Sequence, residues 1–142
     1  MDEDELCAKV SKIDPKIRFA GLINNKGRLV AGGMVGSVKS LEDEREDEML
    51  FMELALRVKM RQEFDKDFGK VNFTLSYREK LIVMSFPLNK NVLFVSMDKR
   101  KENIEELIKF YNFKYKINKI KKVNSFELKS LNLRSYYHKN IL

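Results

Sequence analysis

The stretch from Ser40 to Gly69 leaves the fewest options for folding. It opens on "SLEDEREDE" and continues as "MLFMELALRVKMRQEFDKDFG". Ser40 with Asp43 three residues on resembles a capping box, with Asp in place of the usual Glu or Gln. Six acids within about two turns complement the positive end of a helix dipole. The spacing predicts one long helix running to about Phe68, with Gly69 at its C-terminal cap. At ~100° per residue, Phe51, Leu54, Ala55 and Val58 share one side, and Met49, Met52, Leu56 and Met60 share roughly the opposite side. Glu53, Arg57 and Arg61 separate the two stripes along one flank, Glu48 and Lys59 along the other. A helix that only covers a sheet needs one apolar stripe and a polar back. The second stripe therefore predicts a second cover, either another copy of the chain or its own terminal segments folded over. Three methionines on the outer stripe suit an adaptable contact surface.

The flanking segments read as one short helix and five strands. Residues 2 to 13 carry four acids in the first turn and Leu6, Val10 and Ile13 at helical spacing, before Asp14–Pro15 stops the run. "IRFAGLI" alternates as a strand, "NNKG" is a turn of residues that tolerate positive φ, and "RLVAG" returns as its partner. After the long helix, "KVNFTLSY", "KLIVMSFPL" and "NVLFVSM" make an antiparallel meander through the turns "REK" and "NKN". Pro87 suits the end of the middle strand. Ile104, Leu107, Ile108 and Tyr111 mark one face of a final short helix. The predicted fold class is an α/β sandwich, a five-stranded antiparallel sheet in the order α-β-β-α-β-β-β-α.

The glycines in "GRLVAGGMVGSVKS" invite comparison with a phosphate-binding loop. The spacing fails, because Gly36 is followed by Ser37 and Val38 rather than Lys and Ser or Thr. The electrostatics fail too, since the helix that follows opens on carboxylates that would repel a phosphate. The stretch is read as a turn from strand edge to sheet face. The same acids lack the spacing of a calcium loop. Cys7 is the single cysteine and is expected to be a buried, inert thiol. His138, the single histidine, has no acid–base partner in sequence. No catalytic residue, metal site or cofactor is expected. No apolar run reaches the ~20 residues of a membrane span, and "MDEDEL" is the opposite of a signal peptide, so the expectation is a cytoplasmic protein without a membrane partner.

The element order, the hairpin "IRFAGLINNKGRLVAGG" and the long helix after it resemble the roadblock/LC7 superfamily. More closely, the run from that hairpin through "EDEMLFMELALRVKMRQEFDK" to "NFTLSYREKLIVMSFPL" is similar to a family of small uncharacterised archaeal proteins of that type, over about residues 10 to 111. The resemblance implies the long helix on one face of the sheet and the two terminal helices on the other. It implies a homodimer that pairs the long helices and the edge strand after them. It also implies a non-catalytic scaffold or regulator, commonly of a small Ras-like GTPase. On this chain the implied interface is Met49, Met52, Leu56 and Met60 with Val71, Phe73 and Leu75 of the edge strand "KVNFTLSY".

The resemblance stops near Tyr111, and the chain divides into a domain of residues 1–111 and an extension of residues 112–142. The net charge of +7 is almost wholly in the extension. Nine Lys or Arg stand against one acid after residue 108, a net of +8, which leaves −1 for the rest. In "NFKYKINKIKKV" basic and aromatic residues alternate. Lys114, Tyr115, Lys116, Lys119, Lys121 and Lys122 would suit a single-stranded nucleic acid, charge to the backbone and rings to the bases. The same alternation describes an added strand with a lysine face, or a lightly constrained extension. Two further classes therefore stand beside the scaffold: a nucleic-acid-binding protein acting through this tail, and a small-molecule sensor with a ligand between helix and sheet.

Overall fold

A computed structural model describes residues 2–36, 43–99, 112, 113 and 115–120. Residues 3–99 form one compact unit, and residues 1–2 with 100–142 belong to a second.

In the first unit α1 spans Glu3–Ser11, β1 Ile17–Ile23, β2 Leu29–Met34, α2 Glu44–Gln62, α3 Asp65–Phe68, β3 Thr74–Tyr77, β4 Leu81–Leu88 and β5 Asn91–Asp98. The strands form one antiparallel sheet in the order β2-β1-β5-β4-β3, so β2 and β3 are its edges. This is the expected five-stranded sandwich. The β1–β2 turn closes because the Asn24 side chain accepts from the backbone N–H groups of Lys26 and Arg28, both at 3.0 Å, while Gly27 takes φ +76°.

The register sorts side chains to the two faces. Phe19, Ile23, Val92 and Phe94 meet Phe51 and Leu54 of α2 in one core cluster. The rings of Phe19, Phe51 and Phe94 stand 5.6–6.2 Å apart, two of the three contacts being edge-on. The alternate residues Ala20, Leu22, Leu93, Val95, Ile82 and Met84 are buried on the other face, where α1 contributes Cys7 and Val10. Six consecutive residues of β5, Val92 to Met97, are buried, as befits a middle strand covered on both sides.

Three elements differ from expectation. The long helix ends at Gln62, and a tight turn of i→i−3 bonds, Glu63 N–H to Met60 O at 3.3 Å and Phe64 N–H to Arg61 O at 3.0 Å, leads into the separate turn of α3. Gly69 is the cap of α3, at φ +82°. The N-cap of α2 is Asp43, whose carboxylate accepts from Glu46 N–H at 2.9 Å; Ser40 lies outside the described residues. The edge strand "KVNFTLSY" is shorter than expected. Only Thr74–Tyr77 pair with β4, and Val71 and Phe73 precede the strand. The register carries Asn72 level with Pro87, which has no N–H to extend the ladder.

In the second unit residues 112, 113 and 115–120 are helical, with Phe113 and Ile117 buried. The alternation in this segment thus belongs to a helix, not an added strand, because its two buried residues are four apart. The helix expected over Ile104–Tyr111 lies outside the described residues.

Candidate functional site

Met49, Met52, Leu56 and Met60 point away from the sheet and are each about 60% exposed, 59 to 65%, while Phe51 and Leu54 on the sheet side are at 9%. Both stripes of α2 are therefore present, and one has no cover within the first unit. Glu53 and Arg57 flank it as an (i, i+4) ion pair at 2.6 Å. The helix is acidic in its N-terminal half and basic in its last turns, where Lys59 and Arg61 lie. Arg61 ties that end to the sheet, donating through Nη1 to Thr74 Oγ1 at 2.8 Å. At the other edge Gly27 approaches the backbone of Met52 so closely that a Cβ would collide with it.

The outward row does not stop with α2. Phe64 and Phe68, 55% and 82% exposed, follow Met60 at four-residue steps across the helix break, and their rings stack at 5.7 Å with 10° between planes. The sequence reading missed this pair, although the spacing 52, 56, 60, 64, 68 was its signal.

The strand part of the expected interface sits elsewhere. Leu75 pairs with Met84, and Phe73 stacks on Phe86 at 5.9 Å. Both belong to the face opposite α2, and Val71, Phe73 and Leu75 are half-buried. Thr74 and Ser76, which alternate with them, are the β3 residues on the α2 side. Within one chain the seven residues are thus divided between the two faces of the sheet, and what β3 presents sideways is its backbone edge.

Between the N-terminal half of α2 and the sheet lies a cleft of about 540 Å³. Its floor is apolar, made of Phe19, Leu50, Phe51, Val83 and Phe94. Its mouth is charged, with Arg78, Glu79 and Lys80 of the β3–β4 turn facing Glu46 and Asp47 of α2. No signal in the sequence marks it, because five separate segments line it.

Cys7 is buried beside α1's contact with the sheet. Burial pushes its thiol from 9.0 to about 11, partly offset by the Leu22 backbone hydrogen bond and aided by the nearby Asp4 and Glu3 carboxylates. This is an inert thiol, not a nucleophile. Among the described residues no group of His, Cys, Asp and Glu is placed to hold a metal ion, and no helix is long and apolar enough to cross a membrane. Of the residues expected to meet nucleic acid, Lys116 and Lys119 are exposed and the aromatic Tyr115 is half-buried. Lys114, Lys121 and Lys122 are outside the described side chains.

A family model described as "Family of unknown function (DUF6659)" matches residues 1–129. No curated protein matches the chain in sequence. Solved structures do share its fold. A Roadblock/LC7 domain from Streptomyces avermitilis superposes with a TM-score of 0.60 at 11% identity, covering 84% of this chain and 92% of that one. MglB from Myxococcus xanthus gives 0.57 at 16% identity over 84% and 94% of the two chains. The gliding protein MglB from Thermus thermophilus gives 0.58 at 14% over 82% and 85%. A further MglB structure of similar likeness is described as having a tetrameric arrangement.

Proposed function

We propose that this chain, which belongs to the DUF6659 family and has the roadblock/LC7 fold, is a non-catalytic scaffold or regulator that works as a homodimer. The single observation that carries the reading is the outward apolar row of α2, four large side chains left in water on the back of a helix whose other side is packed in the core.

The charge pattern favours a second copy as the cover. Two α2 helices laid antiparallel across a twofold axis between Leu54 and Ala55 bring Met49 opposite the partner's Met60 and Met52 within one residue of the partner's Leu56. The same register sets Glu48 near the partner's Arg61 and Glu53 near the partner's Arg57. A parallel arrangement would set acid on acid. Such an isologous contact is self-complementary, each residue meeting its counterpart's partner.

The partner class is a small Ras-like GTPase, which roadblock-type proteins commonly serve, bound rather than chemically assisted. The single buried cysteine fits a reducing archaeal cytoplasm. The test is solution mass by light scattering for the full chain and for a Met52→Glu/Leu56→Glu variant, followed by titration of the dimer with a purified Ras-like GTPase in each nucleotide state. A folded wild-type monomer overturns the dimer; a dimer indifferent to the GTPase overturns the partner.

A further inference from the structure

We infer that the cleft between α2 and the sheet binds a free aromatic amino acid whose ring carries a hydrogen-bonding group, with tyrosine as the match. The inference goes beyond the scaffold reading and does not depend on how the outward row of α2 is covered.

Ser96 sets the chemistry of the floor. Residues directly opposite across an antiparallel pair share a face, and Ser96 stands between Phe19 of β1 and Val83 of β4. Phe94, two residues back on β5, shares that face, and all four residues line the cleft. The serine is thus a lone hydroxyl in the middle of an aromatic and aliphatic floor. It is 8% exposed, and its hydroxyl has no hydrogen-bond partner among the described residues. A hydroxyl buried without a bond is unfavourable, and protein interiors rarely keep one. A ligand that brings a polar atom to this point satisfies it, and a purely apolar ligand does not. The rings of Phe19, Phe51 and Phe94, 5.6–6.2 Å apart, offer edges and faces to a further ring.

The mouth sets the other end of the ligand. Arg18 also lines the cleft, but Asp98 matches its charge at 3.1 Å. Arg78 and Lys80 on the turn side, and Glu46 on the helix side, have no ion pair among the described residues. A simple anion drawn to the turn would face the carboxylates of Glu46 and Asp47. A simple cation drawn to the helix would face Arg78 and Lys80. A molecule that carries both charges at one end is matched on both sides. An α-amino acid has such an end, its ammonium toward α2 and its carboxylate toward Arg78 and Lys80. The volume of about 540 Å³ lies in the range of small-molecule sites. A hydroxyl below, rings around and two opposite charges above select a phenol-bearing amino acid.

Calorimetric titration of the full chain with L-tyrosine is expected to show a single site per chain. L-phenylalanine should bind about tenfold more weakly, for want of the phenol. Tyramine and para-hydroxyphenylpropionate each lack one of the two charges and should also bind more weakly than L-tyrosine. Ser96→Ala removes a hydroxyl that has no partner in the fold, so the variant should remain folded. It should bring L-tyrosine down to the level of L-phenylalanine and leave L-phenylalanine unchanged. Arg78→Gln/Lys80→Gln alters exposed residues and should weaken L-tyrosine while sparing tyramine, which has no carboxylate. No binding of L-tyrosine at about 1 mM overturns the site. Equal wild-type affinity for the two amino acids, or an equal loss of both in Ser96→Ala, overturns it as well. Tighter binding of either singly charged analogue overturns the amino-acid class. The homodimer stands or falls separately, on light scattering alone.

Discussion

Single atoms decide two features of this chain. Gly32 has φ +77°, and a Cβ there would run into the Ala20 carbonyl oxygen and the Cys7 side chain. Gly32→Ala should therefore cost about 3 kcal/mol or more, strain and collision together, read as a drop in urea midpoint. Cys7 supplies a pH dependence. Below pH 9 its thiol is protonated in both folded and unfolded chains, and its contribution is complete. Above pH 9 the unfolded thiol ionises while the native one holds its proton to about 11. The unfolded state then binds fewer protons, and stability falls by about 2–3 kcal/mol across pH 9 to 11. Cys7→Ala should remove that part of the alkaline slope in denaturant titrations at each pH. The sequence alone made Cys7 a buried thiol, from its place on the apolar side of α1. It had no means to reveal the Gly32 requirement, which depends on an oxygen in another strand.

Elements were legible where the pattern is local and obscure where it is imposed from a distance. The two stripes of α2 follow from its period, and the first hairpin from "NNKG" flanked by alternating residues. The break at Glu63–Phe64 has no proline or glycine to announce it, and helical spacing runs straight through. The shortness of β3 is set by Pro87 in the neighbouring strand, visible only once the register is known. In the tail, Phe113, Tyr115 and Ile117 satisfy a period of two, while burial selects the first and last, a period of four. The start of α2 rests on one bond, Asp43 to Glu46 N–H, in a turn crowded with acids. Asp43→Ala should cost about 1 kcal/mol, seen as a lower thermal midpoint with the fold unchanged.

The candidate site belongs to the whole molecule, and so does its main test. Met52→Glu/Leu56→Glu alters only side chains exposed in the protomer, so the chain should stay folded by circular dichroism. Facing its own copy, the variant would bury carboxylates without partners, and it should scatter as a monomer at concentrations where the wild type is a dimer. The cleft was beyond reach of the sequence, because it needs five segments brought together. The other edge of the sheet is β2, with Leu29 and Val30 over 40% exposed. Such a border invites runaway stacking into fibrils. Two features of β2 act against it. The ladder to β1 shifts register between Leu22 and Ile23, leaving Val30 as the extra residue of a bulge that spoils the flat geometry a template needs. The Gly32 N–H is already occupied by the Asp4 carboxylate at 3.1 Å, so an incoming strand finds that rung of the ladder taken. At Gly32 the glycine stretch that resembles a phosphate loop thus closes part of a sheet edge instead of opening a binding loop.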